Sequence, residues 1–143
     1  MGSLKHVKGV IVAMVTPFTK KGAIDIEGLR KLTSWLMECE VDGLFPLGSI
    51  GEGPKLNRVE REKVLKTVLD EVKSNVPVLP GAGGITTKDA IIYTRDAKDR
   101  GATAAVIHPP WYFHPSPKAL LNHYKTIAKT VDFPIILYNI PIF

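Results

Sequence analysis

One pattern is repeated along most of this chain: a short apolar run, a loop rich in glycine or proline, and an amphipathic segment. The apolar runs begin near Val10, Gly43, Val76, Thr103 and Pro134, about 27 to 33 residues apart. That spacing is typical of a βα unit. Continuous apolar runs predict strands buried on both faces, as in a parallel sheet with right-handed crossovers. The sequence therefore predicts an α/β protein with five strands.

The amphipathic segments between these runs predict helices with recognisable caps. The caps are Asp25, Asn57, and Thr86 or Thr87, and the last helix is expected to run from Ser116 to Thr130. The helical spacing groups Leu29, Leu32, Leu36 and Cys39; Leu65, Val68, Leu69 and Val72; Ile91, Thr94 and Ala97; and Leu120, Tyr124, Ile127 and Val131. Two architectures fit this series, an open doubly wound sheet and a (β/α)₈ barrel. Both place ligands at the carboxyl ends of the strands, so the periodicity does not separate them.

Composition limits the kind of protein this can be. The chain has 143 residues, of which 45% are hydrophobic and 23% charged, in the range of one soluble domain. Its net charge of +5 is scattered, with Lys20 and Lys21 the densest pair, so no nucleic-acid partner is predicted. No apolar run is long enough for a membrane span, and the amino terminus lacks the apolar core of a signal peptide. Cys39 is the only cysteine, which favours a reducing compartment, and the expected location is the cytoplasm.

The stretch 44–54 (LFPLGSIGEGP) is the first candidate site, because a buried strand breaks there into a glycine-rich turn. Gly48, Gly51 and Gly53 permit a close approach by a ligand, and successive free amides favour an anion. The hypothesis is a cradle for a carboxylate or phosphate. The alternative is a plain strand-to-helix turn, since glycine-rich turns alone are weak signals.

Two other kinds of site are not predicted. His108, His114 and His123 lack the spacing of metal ligands, so no metal is expected. The glycines between Gly81 and Gly84 do not complete a dinucleotide fingerprint, and no acidic residue follows at the required distance. No cofactor is therefore expected.

Four motifs, taken together, separate the two architectures. Residues 9–18 (GVIVAMVTPF), 48–52 (GSIGE), 110–115 (PWYFHP) and 137–141 (LYNIP) resemble, in order and spacing, the family of dihydrodipicolinate synthase and N-acetylneuraminate lyase. This resemblance covers essentially the whole chain and implies a (β/α)₈ TIM barrel of roughly twice its length. Residues 1–143 are then expected to be the amino-terminal half of a single barrel domain without an internal linker. They would supply about the first five strands and four helices.

The resemblance also implies an activity, pyruvate-dependent aldol chemistry through a lysine Schiff base. By match, Tyr138 would shuttle the proton, Ser49 would relay it, and Tyr112 would be the outer relay member, often reaching across a subunit contact. Gly48 and the backbone amides of Ser49 and Ile50 would hold the pyruvate carboxylate. The implied partners are pyruvate, an aldehyde and further copies of the chain in a dimer or tetramer.

Each of these residues also has a simpler interpretation. Tyr138 could be a core tyrosine with a satisfied hydroxyl, and Tyr112 lies in an aromatic cluster with Trp111 and Phe113 that suits a subunit contact. Glu52 is expected to accept loop amides rather than to act as an acid or base.

The sequence departs from the family pattern at two positions. Ile50 replaces a second hydroxyl, which removes one donor from the carboxylate pocket and makes it drier. Phe143 falls where the synthases carry an arginine for their dicarboxylic substrate. The run 51–56 (GEGPKL) resembles the Gly-Pro-x-Leu continuation of archaeal-type sugar acid aldolases. Together with the two departures, it favours a 2-keto-3-deoxy sugar acid aldolase, with dihydrodipicolinate synthase as the alternative.

The Schiff-base lysine is expected beyond Phe143, on a sixth strand. Lys20, Lys55, Lys88 and Lys118 are expected in exposed loops or helix starts, where a nucleophilic amine would not be activated. This chain alone is therefore expected to be inactive, and its open sheet edges to make it associate. The alternative from another class is a non-catalytic half-barrel or assembly module.

Overall fold

The computed structural model describes residues 4, 7–73 and 75–140, and in them strands and helices alternate. The elements are β1 (Ile11–Ala13), α1 (Ile26–Glu38), β2 (Gly43–Phe45), α2 (Arg58–Val72), α3 (Thr87–Asp99), β3 (Ala105–Ile107), α4 (Pro117–Val131) and β4 (Ile135–Leu137). A 3₁₀ turn, Gly53–Lys55, precedes α2. Among the described residues, no helix is long and apolar enough to cross a bilayer. The predicted α/β class is confirmed.

The sheet is parallel throughout, and its middle member is irregular. β1 pairs with β2, and β3 pairs with β4. Between these pairs, the predicted third strand is joined to its neighbours by single parallel bridges, from Val78 to Leu44 and from Gly81 to Val106. Pro77 and Pro80 supply no N–H group, which prevents a regular ladder. Their carbonyls still accept bonds from the amides of Leu44 and Val106. The five predicted strands are thus four strands and one bridged segment.

The two faces of this sheet have different partners. Val12, Leu44 and Val78 lie on the face covered by α1 and α2, whose core includes Leu29, Leu36, Val64, Leu65 and Val68. Because side chains alternate along a strand, their neighbours lie on the other face. That face carries Ile11, Phe45, Leu79, Val106, Ile136 and Tyr138, which pack together in one cluster. Phe45 and Tyr138 therefore lie on the same side of the sheet.

Three of the four described helices begin at predicted caps, and the fourth is capped by Ser116, which was expected to be its first residue. Asp25, Asn57, Thr86 and Ser116 each accept a hydrogen bond from the backbone N–H three residues later. The caps of α2 and α3 are reciprocal capping boxes. Thr86 rather than Thr87 caps α3. Each described helix therefore starts at a position that its own local side chains fix.

Two helix faces differ in detail from the predicted pattern. Cys39 follows α1 as its C-cap and is exposed, so it adds nothing to the apolar face. In α2, Leu69 is only partly buried, whereas Arg61 is buried together with Val64. A charged residue thus occupies a core position next to the glycine-rich turn.

Candidate active site

The turn after β2 folds back on itself and strains its backbone at both ends. The amide of Gly53 donates to the carbonyl of Gly48 at 3.0 Å, and the amide of Glu52 donates to the carbonyl of Ser49 at 3.1 Å. Leu47 has φ = 63° and Glu52 has φ = 53°, in the left-handed region that non-glycine residues rarely adopt. Such strain persists only where surrounding contacts enforce it, and it is common at functional sites.

The middle of this turn presents unused hydrogen-bond donors. Within the described part of the chain, the amides of Ser49 and Ile50 donate to no acceptor. Ser49 is exposed, and Ile50 is 58% exposed. Successive unpaired amides in one exposed turn are suited to binding an anion.

One side of the turn is attached to the end of β1. The hydroxyl of Thr16 is buried and donates to the carbonyl of Gly51 at 2.6 Å. A Cβ at Gly51 would lie 2.8 Å from the carbonyl oxygen of Met14. Glycine at position 51 is thus required by this close backbone approach.

The other side of the turn is attached to Arg61, which sequence reasoning missed. Arg61 is 6% exposed; its Nη1 donates to the carbonyl of Gly53 at 2.7 Å, and its Nη2 donates to the carbonyl of Gly81. The guanidinium also lies 4.1 Å from the centre of the Tyr93 ring. Burial holds the pKa of Arg61 below its ordinary value, and the nearby Tyr93 and Asp96 oppose that shift. The signal was available in the helical spacing, because Arg61 falls on the α2 face that buries Leu65.

Phe45 connects the turn to the predicted catalytic tyrosine. Tyr138 follows β4, and its amide donates to the carbonyl of Ile107 at 2.9 Å. Its ring meets Phe45 edge to face, with centroids 5.5 Å apart. A Cβ at Gly48 would lie 2.8 Å from Cζ of Phe45, so the same ring also packs against the turn. The fold thus brings Tyr138 and the turn to one side of the sheet.

The hydroxyl of Tyr138 is not bonded as the simpler interpretation requires. Tyr138 is partly buried, and its hydroxyl has no hydrogen-bond partner among residues 4, 7–73 and 75–140. No hydrogen bond to Ser49 is present there either. The described fold therefore gives this phenol no structural bond within the core.

Tyr112 is not brought to the turn within one chain. It is 72% exposed, and its ring meets that of Phe113, itself 77% exposed, at 4.8 Å. Trp111 is more buried and packs against the His108 ring at 5.0 Å. The predicted aromatic cluster thus divides into a half-buried pair and an exposed pair.

The lysines and Glu52 are paired or exposed. The Nζ of Lys55 lies 2.7 Å from a carboxylate oxygen of Glu52, so this carboxylate meets a lysine rather than the loop amides expected from the sequence. Lys20, Lys88 and Lys118 are exposed, and no lysine lies in β1 to β4.

His108 is the first residue of the loop that follows β3, and His123 lies in α4. Nδ1 of His108 is 2.7 Å from the carbonyl of Pro109, and Nδ1 of His123 is 2.9 Å from the hydroxyl of Thr87. Burial lowers the pKa of both histidines; Arg61 lowers the pKa of His108 further, and His108 lowers that of His123.

A Cβ at Gly83 would meet the His108 ring at 2.5 Å, which explains one glycine of the run 81–84 by packing. In the described residues, no three His, Cys, Asp or Glu side chains form a possible metal site.

A parallel βα series whose loops at the carboxyl ends carry donors and a tyrosine is the arrangement of (β/α)-barrel enzymes. The chain belongs to the dihydrodipicolinate synthetase family, whose sequence profile matches residues 6–143. The family resemblance of the four motifs is thereby confirmed.

Individual relatives agree with this assignment. The chain is 39% identical over 135 residues to the 4-hydroxy-tetrahydrodipicolinate synthase of Protochlamydia amoebophila, covering 94% of this chain and 45% of that protein. It superposes with a TM-score of 0.92 and 38% identity on the dihydrodipicolinate synthase of Acinetobacter baumannii complexed with pyruvate, covering 94% and 46% of the two chains. The N-acetylneuraminate lyase of Mycoplasma synoviae gives a TM-score of 0.90 at 28% identity, covering 99% and 49%.

The chain spans about half the length of these relatives and matches their amino-terminal part. Because these relatives are TIM-barrel enzymes, the predicted architecture is confirmed as the first half of such a barrel.

Proposed function

We propose that this chain is the amino-terminal half of a class I, pyruvate-dependent aldolase or lyase, and that residues 1–143 contain no internal linker. The observation that carries the proposal is the pair of unused amides at Ser49 and Ile50, on a turn packed beside Tyr138 through Phe45. A 2-oxo acid offers the carboxylate that such amides bind. Family membership supplies the reaction class.

Each site residue has a role in this proposal. Gly48 admits the Phe45 ring, and the amides of Ser49 and Ile50 bind the pyruvate carboxylate. A lysine in the other half condenses with the 2-oxo group, releasing water and forming an iminium that draws electrons from the neighbouring carbon. Loss of a proton from the neighbouring carbon gives an enamine, and this carbon bonds to the aldehyde carbon while the phenol of Tyr138 gives a proton to the aldehyde oxygen. The hydroxyl of Ser49 relays this proton. Water then releases the product from the lysine, and cleavage runs through the same steps in reverse.

Tyr112 completes the relay from a neighbouring subunit in this proposal. Its exposure, next to the equally exposed Phe113, fits a residue that functions in an assembly rather than in one chain. A homodimer or homotetramer is proposed on the same ground. The proposed cytoplasmic location rests on the single free thiol, Cys39, which is exposed.

The acceptor aldehyde divides the proposal in two. Ile50 at the turn favours a 2-keto-3-deoxy sugar acid, whereas the relatives named as 4-hydroxy-tetrahydrodipicolinate synthase favour that reaction. The position assigned to the missing arginine, Phe143, lies outside the described residues. Two assays on the whole enzyme separate the candidates: release of pyruvate from the sugar acid, and formation of 4-hydroxy-tetrahydrodipicolinate.

Borohydride trapping tests the reaction class. The whole enzyme is incubated with pyruvate and borohydride, and we expect a stable adduct that peptide mass spectrometry locates on a lysine after residue 143. Lys55→Met is the matched control; Lys55 is exposed and paired with Glu52, so its replacement leaves the adduct unchanged. The absence of any adduct would end the proposal. Together with a polypeptide that lacks a lysine-bearing sixth strand, it would favour a non-catalytic module that uses Trp111, Tyr112 and Phe113 as a contact surface.

A further inference from the structure

The turn that presents the amides of Ser49 and Ile50 is held by a side chain that lies outside it. Arg61 donates one hydrogen bond to the carbonyl of Gly53, at the end of the turn, and another to the carbonyl of Gly81, in the next loop. We propose that Arg61 is a positioning residue for the 2-oxo acid: it clamps these two carbonyls and so aims both amides at one carboxylate. This inference rests on the proposed function.

The turn needs such a clamp because its own backbone opposes the conformation. Leu47 and Glu52, at φ = 63° and 53°, bracket the two amides. Non-glycine residues leave the left-handed region when surrounding contacts are lost. A relaxed turn would rotate the peptide planes of residues 49 and 50 and separate the directions of their N–H groups. The contacts that hold the strained residues thus also determine the geometry of the anion site.

The packing around Arg61 shows that its two bonds act on the same backbone. A Cβ added at Gly53 or at Gly81 would collide with the carbonyl oxygen of Leu47. The strained corner at Leu47 is therefore held between the two glycines whose carbonyls Arg61 binds. A planar guanidinium with several N–H donors can span two carbonyls, whereas a lysine ammonium is a compact point charge on a flexible chain.

Charge alone does not explain where Arg61 lies. Among the described residues, no carboxylate lies within 4.0 Å of its guanidinium, although burying an unpaired cation is costly. The two carbonyl oxygens and the Tyr93 ring provide its compensation. A cation buried in this way, with both hydrogen bonds directed to backbone carbonyls beside the turn, indicates a geometric role.

The test compares Arg61→Lys, which keeps the charge, with Arg61→Gln, which keeps a hydrogen-bond donor, in the whole enzyme. The measurement is the pyruvate concentration that gives half-maximal borohydride trapping, with folding checked by circular dichroism and gel filtration. We expect both variants to raise that concentration at least tenfold and to change the maximal extent of trapping less than threefold. Arg95→Gln, on the exposed surface of α3, is the matched control and should behave as wild type.

Each outcome separates this inference from the proposed function. If wild type forms no adduct, the proposed function fails, and the positioning role of Arg61 fails with it. If wild type is trapped and Arg61→Lys matches it, charge rather than clamping is responsible, and the inference is overturned. It is also overturned if both variants fold and bind pyruvate within twofold of wild type. If neither variant folds, Tyr93→Leu removes the ring beneath the guanidinium; a raised half-saturating concentration then supports the clamp, and an unchanged one overturns it.

Discussion

Glycine at position 53 is required by packing rather than by backbone rotation. Its φ is not in the left-handed region, but an added Cβ would collide with the carbonyl oxygen of Leu47, which is backbone and cannot turn aside. Gly81 meets the same oxygen from the next loop. A single carbonyl thus limits the residue type at two positions that are 28 residues apart in sequence (81 − 53).

The residue-scale prediction is that Gly53→Ala lowers the free energy of unfolding by about 3 kcal/mol, the upper range for overpacking a site that cannot relax. Pyruvate affinity should fall with it, since the turn must move. Gly22→Asn is the control, because Gly22 has open space around it and a φ of 80° that asparagine tolerates. Urea unfolding with equal midpoints for Gly53→Ala and wild type would disprove the packing argument.

At the scale of elements, one histidine makes a contact within the loop after β3, and another joins α4 to α3. His108 packs against Trp111 in that loop, and His123 of α4 bonds Thr87 at the start of α3. His123 is 5% exposed, and its Nε2 is buried without a hydrogen-bond partner in the described structure. Besides burial, the charge of Arg61 lowers the pKa of His108, and His108 lowers the pKa of His123. Burial and these neighbours therefore favour the neutral form of both imidazoles.

The corresponding prediction concerns pH. In the folded protein the pKa of each of these histidines lies below its ordinary value of 6.5, so the unfolded chain binds more protons between the two values. The stability that these two histidines contribute is fully present above pH 6.5. It is lost progressively as the pH decreases from 6.5 toward the pKa of each histidine in the folded protein. We expect urea unfolding of the whole enzyme to show lower stability at pH 5.5 than at pH 7.5.

Substitution at His123 should reduce this dependence. His123→Gln removes one of the two shifted groups, so the difference in stability between pH 7.5 and pH 5.5 should become smaller. His114→Gln, at an exposed position in the loop between β3 and α4, is the control and should keep the wild-type difference in stability between the two pH values. A His123→Gln profile identical to that of wild type would assign the pH dependence elsewhere.

At the scale of the whole molecule, large apolar side chains remain uncovered on the outer helices and on the last strand. Trp35 of α1 is 56% exposed, Leu121 of α4 is 52% exposed, and Leu137 of β4 is 60% exposed. Among the described strands, β4 pairs only with β3, so its other edge is open. Leaving such side chains in water forgoes about 1.5–3 kcal/mol for each one that could be fully buried.

The 143-residue polypeptide is therefore expected to associate with itself, with a second half or into aggregates. Sedimentation velocity at several concentrations measures this, and a well-folded monomer throughout would contradict it. Leu137→Lys should reduce the association, because a charge on an edge strand opposes pairing. Val59→Lys is the matched control: Val59 is 73% exposed on α2, which packs against both α1 and α3, and its change should leave association unaltered.

Features encoded locally could be predicted from the sequence. The βα period, the caps at Asp25 and Asn57, and the turn after β2 all depend on neighbouring residues, and the structure contains them. The irregular third strand depends on Pro77 and Pro80, whose missing N–H groups act only where a partner strand lies alongside. Arg61 was missed because its partners, Gly53 and Gly81, come close to it only in the folded chain. The exposure of Tyr112 likewise depends on tertiary structure.

The four capped helices have an electrostatic consequence at the rim. Each helix follows a parallel strand or bridged segment, so the amino termini of α1, α2, α3 and α4 all end near the rim that carries Ser49 and Tyr138. An aligned helix places about half a positive charge at its amino terminus. The positive ends of these four helix dipoles therefore point toward the rim, where carboxylates at the starts of α1, α2 and α3 offset part of their charge. The dipole contribution comes from the backbone, so it persists through changes of side chains in the surrounding loops, and it favours negative charge at the rim.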